Sequence, residues 1–126
     1  MIASGDGKRS IYIDIENEDE ILSYISQDER HRKKFRFITE IILGGHKNTN
    51  VYDKEDINEK CKDVTAMKFF KGQENDRIYC KEITDENGTS IMVAAIVHER
   101  KKSKKLSSKE VSLIKKLGGY SYEIQG

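Results

Sequence analysis

Six side chains between His98 and Lys105 can act on a phosphate: His98, Arg100, Lys101, Lys102, Lys104 and Lys105. Lysine and arginine neutralise phosphates and release their counterions. Imidazole exchanges a proton near neutral pH. Residue types of this kind suit the binding of a polyanion, with proton transfer beside it. The cluster also polarises the chain. Val97 to Lys116 holds eight Lys/Arg against two acids, a net of +6, whereas the remaining residues hold fifteen against twenty, −5. The formal net charge of +1 hides this asymmetry. Two plainer readings stand beside it: a lysine run can be a solvated surface loop, and a histidine at a strand end can be a packing residue.

The elements around the cluster place it at a strand-to-helix junction. The apolar run Ile91–Val97 precedes it, and Ser107-x-x-Glu110 follows as a capping box. Val111, Ile114 and Leu117 then form the buried stripe of a helix that Gly118-Gly119 stops. Upstream, the alternations Val64–Lys71, Arg77–Ile83 and Ser90–His98 predict three strands joined by short turns, one of them at Asn87-Gly88. The N-terminal half begins with a loose tail over residues 1–8. A strand over Arg9–Ile15 and a helix capped by Asn17 and Glu20 follow, with Ile21, Leu22 and Ile25 turned inward. A second helix spans about Asp28–Leu43, with Phe35, Ile38, Ile42 and Phe37, Ile41 at helical spacing, and Gly44-Gly45 ends it. His46–Asp63 is polar and reads as a loop with one helical turn near Asp56–Lys60. Tyr120–Ile124 alternates and suits a last edge strand. The expected order is β-α-α-β-β-β-α: an α+β fold with an antiparallel sheet, two N-terminal helices and one C-terminal helix, all on one face.

A chain of 126 residues is one domain with one core. Ile91–Val97 is too short to span a bilayer, and the N-terminus lacks a signal peptide's apolar stretch, so a cytoplasmic protein is expected. Cys61 and Cys80 form no metal-ligand spacing. Cys61, Cys80 and His98 would have to converge to bind zinc, whereas alternation with Ile78 makes Cys80 a buried thiol. No metal or other cofactor is expected.

From about Thr65 to Leu117 the chain resembles the RelE/HigB family of bacterial toxin–antitoxin toxins. Two segments carry the resemblance. Asp76-Arg77-Ile78-Tyr79 matches the family's strand that opens with arginine, and Lys101 to Val111 matches its basic segment running into a helix. Leu106 and Ser107 stand where Thr and Pro are usual, and His98-Glu99-Arg100 replaces a stretch that commonly holds an aromatic. Phe70 stands where a second strand lysine would be. The resemblance implies a single toxin domain over residues 1–126. It implies a metal-independent endoribonuclease that cuts mRNA, associated with the ribosome and held by a helix-turn-helix antitoxin.

Such a reaction needs a base for the ribose 2′-OH, an acid for the departing 5′-oxygen, and cations around the phosphate. By the resemblance, Arg77 would fork two phosphate oxygens, and Arg100 and Lys102 would stand at the scissile group. Lys68 would act as base if other cations crowd it, with His98 as a second proton carrier. Lys101, Lys104, Lys105, Tyr120 and Tyr122 would bind RNA, the tyrosines by stacking or by moving a proton. Two alternatives remain. A ParE-like relative would bind DNA gyrase without nuclease chemistry, and a plain RNA- or partner-binding module would do neither.

Overall fold

The computed structural model describes residues 3–4, 9–54, 63–70, 76–84, 88–99 and 108–119. In chain order the elements are β1 (Ala3–Ser4), β2 (Arg9–Ile13), a 3-10 turn (Ile15–Asn17), α1 (Glu18–Ser26), α2 (Glu29–Leu43), β3 (Tyr52–Lys54), β4 (Val64–Phe69), β5 (Asp76–Thr84), β6 (Ser90–His98) and α3 (Ser108–Gly118). The fold class is α+β. The six strands form one sheet in the order β1-β2-β6-β5-β4-β3.

The meander β4-β5-β6 is antiparallel, as its alternation and turn residues predict. Gly88 sits at φ 80, where a residue without Cβ is unstrained. The sheet as a whole is mixed, which corrects the antiparallel expectation: β2 lies parallel to β6, with Ile11 opposite Met92. The connection from β2 through both N-terminal helices and three strands is long enough to permit that pairing. Two further strands add to the edges. Tyr52–Lys54, inside the segment expected to be loop, pairs with β4, and Ala3–Ser4, inside the expected tail, pairs with β2. The expected helical turn at 56–60 and the expected edge strand at 120–124 lie outside the described residues.

The helices cover both faces of the sheet, not one. Ile21, Tyr24, Ile25 and Ile38 from α1 and α2 pack with Ile11, Met67, Phe69, Ile78, Cys80, Met92 and Ala94. Ile114 and Leu117 of α3 pack on the other face, against Val64, Ala66, Tyr79 and Ala95. Double coverage explains why Ile91–Val97 is apolar without interruption, because a strand buried on both faces has no polar side. Each large apolar side chain fully buried in this way contributes about 1.5–3 kcal/mol. Leu22 and Phe37, expected inside, are each 43% exposed. The α1 and α2 faces that meet the sheet are filled instead by Ile21, Tyr24, Ile25 and Ile38.

Three polar contacts fix the helices to the sheet. Tyr79 pairs with Ile96 but Cys80 with Ala94, so Ala95 is the extra residue of a bulge. Asn17 occupies the N-cap position of α1 but does not cap it; its Nδ2 donates to the Ala95 carbonyl at 2.8 Å. Tyr24 Oη donates to the buried Asp76 carboxylate at 2.7 Å. Tyr24→Phe is expected to lower stability by about 1.5–3 kcal/mol, since it strips a hydrogen bond from a charged acceptor. Urea unfolding followed by circular dichroism measures it. On the opposite face Lys81, 8% exposed, donates through Nζ to the Gly118 carbonyl at 3.1 Å. A cation at the C-terminal end of α3 complements the helix dipole. Lys81→Met should cost about 1–2 kcal/mol, visible as a lower urea midpoint.

At the start of α2, Asp28 accepts from the backbone N–H of His31 and lies 2.7 Å from His31 Nδ1. These hydrogen bonds hold the Asp28 carboxyl below its ordinary value. Its stabilising contribution is therefore complete above the ordinary carboxylate range and is lost as pH falls through the lowered value.

Candidate functional site

The register of the central strands brings three of the sequence-predicted residues into one row. Lys68 on β4 is opposite Arg77 on β5, and Arg77 is opposite His98 on β6. Directly opposed residues have Cβ atoms about 4.5–5.5 Å apart and share a face. Arg77 and Tyr79 alternate with Ile78 on β5, so the row lies on the face that α3 covers further along. It crosses the sheet near the end where β4 and β6 finish.

Each member of the row is half-buried. His98 packs at a tilt beside Tyr79, with ring centroids 6.5 Å apart. Arg77 is not idle, since it already engages a partner. Lys68 turns away from the row. Its Nζ donates to the Thr49 carbonyl at 2.9 Å, in the turn before β3, and its backbone N–H donates to Val51. Because β3 lies on the side of β4 away from β5, this bond draws the ammonium away from Arg77. The pair that stands together is therefore Arg77 and His98. Lys68 is held instead by the Thr49 carbonyl, outside the row.

Arg100, Lys101, Lys102, Lys104 and Lys105, together with Tyr120 and Tyr122, lie outside the described residues, as does Cys61. The basic segment nevertheless begins two residues after His98, so its point of departure is the end of the row. Cys80 is fully buried and its Sγ donates to the Ile78 carbonyl at 3.3 Å. Burial pushes the thiol well up from its ordinary value, which removes thiolate chemistry at Cys80. No group of three or more His, Cys, Asp or Glu converges among the described residues.

A second basic surface lies on the other side of the sheet, at the same end. The first half of α2 reads Arg30-His31-Arg32-Lys33-Lys34-Phe35-Arg36, five Lys/Arg in seven residues without an acid. Arg30, Arg32, Lys33 and Arg36 are exposed, and His31 is buried. The sequence signal for this surface is the density of charge within one helix. It is masked by the many acids elsewhere when charge is summed over the chain.

Compared with known protein families, with curated proteins and with solved structures, the chain matches none. Among the described residues no helix is long and apolar enough to cross a membrane.

Proposed function

We propose that this chain is the toxin of a toxin–antitoxin pair and cleaves mRNA as a metal-independent endoribonuclease of the RelE/HigB type. One observation supports it above the others: Arg77 and His98 are cross-strand neighbours on a single face, and the chain runs from His98 straight into its most basic segment. In the reaction the ribose 2′-OH gives its proton to a base, and its oxygen bonds to the adjacent phosphorus. The bond from phosphorus to the 5′-oxygen breaks, and that oxygen takes a proton from an acid. Arg77 would bind two non-bridging oxygens through its fork and gain strength as charge builds on them. His98, about one strand spacing away, would carry one of the two protons. Lys68 would supply further charge or the other proton once released from Thr49. Arg100 and Lys102 would close over the phosphate, Lys101, Lys104 and Lys105 would hold flanking phosphates, and Tyr120 and Tyr122 would stack on bases. The partners on this reading are mRNA, the ribosome and a helix-turn-helix antitoxin, and the compartment is the cytoplasm.

Induced expression tests the reading. Growth should stop and new mRNA 5′ ends should appear, and co-expression of a neighbouring helix-turn-helix gene should suppress both. Growth arrest without new ends would instead support a gyrase-binding relative. The bond that turns Lys68 away from the row favours that second reading, since it leaves the pair one cation short.

A further inference from the structure

We infer that the basic face of α2 is a binding track for single-stranded RNA, on which one base stacks at Phe37 and the Arg30–Phe70 pair while Lys33 and Lys34 hold its phosphates. The inference rests on the RNA reading above and adds a surface that the site itself does not include.

The observations that carry it are local. Arg30, Lys33, Lys34, Phe37 and Phe70 line an open cleft of about 550 Å³ together with Glu29. The Glu29 carboxylate pairs with Arg32 at 3.1 Å, so the acid in the cleft is already neutralised. Phe37 is 43% exposed on a helix whose other large apolar residues are more sheltered. The Arg30 guanidinium lies 3.5 Å above the Phe70 ring, and Lys34 Nζ lies 5.5 Å from the Phe37 ring. A guanidinium stacked on a ring presents its outer face as a platform for a base.

Phe70 adds a second kind of evidence. Its φ is 54, in the left-handed region that a bulky side chain rarely adopts. Residues held there are strained and persist only where their surroundings impose them. The surroundings are the ring of His31 at 4.9 Å and that of Phe69 at 6.2 Å, both edge-on. His31 is in turn fixed by Asp28 and by the Tyr24 ring at 5.0 Å. The backbone strain thus presents one aromatic face at the rim of a cationic cleft.

The position links this cleft to the row. Phe70 follows Lys68 by two residues, about 7 Å along the chain. Lys68 belongs to the α3 face and Phe70 packs with the α2 face, so the cleft and the row flank one end of the sheet. A strand passing around that end would meet stacking groups first and Arg77 and His98 next. Charge complementarity selects a polyanion, and the exposed Phe37 ring with the Arg30 guanidinium stacked on Phe70 selects one with unstacked bases over a duplex or an acidic protein.

Fluorescence anisotropy of the full chain with a labelled oligouridylate, over a range of salt, tests this. Phe37→Ala, whose ring is not part of the core, should weaken binding about tenfold. Lys33→Gln with Lys34→Gln should flatten the plot of log affinity against log salt by about 1.4, at about 0.7 per lost phosphate contact. Lys54→Gln, exposed on β3, serves as the charge control and should change little. The same variants run against an RNA hairpin and against polyglutamate identify the ligand. Equal binding of wild type and α2 variants to the oligouridylate overturns the inference. So does a preference for the hairpin, or tight binding of polyglutamate that Phe37→Ala leaves untouched, which would mark an acidic-protein dock. Because the readout is binding, it separates the two claims. A wild type that binds but never cleaves, with weakened α2 variants, keeps the track and removes the nuclease. A wild type that cleaves while the α2 variants bind unchanged does the reverse.

Discussion

Arg77→Ala is expected to slow RNA cleavage by about 10²–10³-fold and to leave the fold intact. On the nuclease reading, the loss would be that of one donor pair holding a phosphate whose charge grows in the transition state. Folding should survive because Arg77 is half-buried and its neighbours Ile78 and Tyr79 supply the packing on either face. Arg77→Lys should recover only part of the rate, since an ammonium cannot fork two oxygens. Single-turnover cleavage by the variant, with circular dichroism as the check on folding, measures this. A wild-type rate in the alanine variant would reduce Arg77 to a structural role.

His98→Gln is expected to lower cleavage by about 10²–10⁴-fold, the range for a lost proton carrier. Glutamine keeps hydrogen-bonding capacity at the ring's position but cannot exchange a proton. A limb of the wild-type pH–rate profile should therefore vanish in the variant. Lys68→Ala separates the roles. If Lys68 stays with Thr49, as found, its removal should change cleavage much less than the loss of His98. If Lys68 swings to the phosphate and acts as base, its removal should be the more severe and the His98→Gln profile should keep its shape.

Strand β6 shows how far the sequence reaches. Its limits, Ser90 and His98, follow from β-branched residues bounded by a glycine turn and a charged run. Its seven apolar residues without a polar one fit burial on both faces, a feature the expectation of helices on one face left unused. Helical periodicity alone does not say which face of the sheet a helix will cover, and α3 took the face opposite α1 and α2. The ends of α2 follow from local chemistry: Asp28 accepts from the His31 N–H, and Gly45 turns at φ 70. By contrast β3 is three residues of Tyr, Asp and Lys, and only its pairing with β4 makes it a strand. Asn17 carries a capping residue's identity yet serves the bulge at Ala95, a partner 78 residues away. The parallel pairing of β2 and β6 is of the same kind, since nothing within either strand names its neighbour.

The candidate site divides along the same line. Lys68, Arg77 and His98 are each visible in the sequence as strand residues of suitable type. Their alignment in one row depends on two hairpin registers, which short turns make possible but do not specify. The direction of the Lys68 side chain depends on Thr49, in a turn whose place beside β4 is set by tertiary contact. The α2 surface needed the folded chain for another reason. Phe37 has the spacing of a core residue, and only packing shows that Ile38 takes the interior and leaves Phe37 at the cleft.

The chemistry of the cut ends tests the central claim most directly. Labelled RNA should be incubated with wild type, free in EDTA and on programmed ribosomes in magnesium buffer, and the product termini determined. Attack by the 2′-OH leaves a 2′,3′-cyclic phosphate on one fragment and a 5′-hydroxyl on the other, so the downstream fragment should accept a new 5′-phosphate from a kinase without prior dephosphorylation. Cleavage of the free RNA that stops in EDTA and returns with a divalent ion, or downstream fragments from either substrate that already carry a 5′-phosphate, would contradict the account.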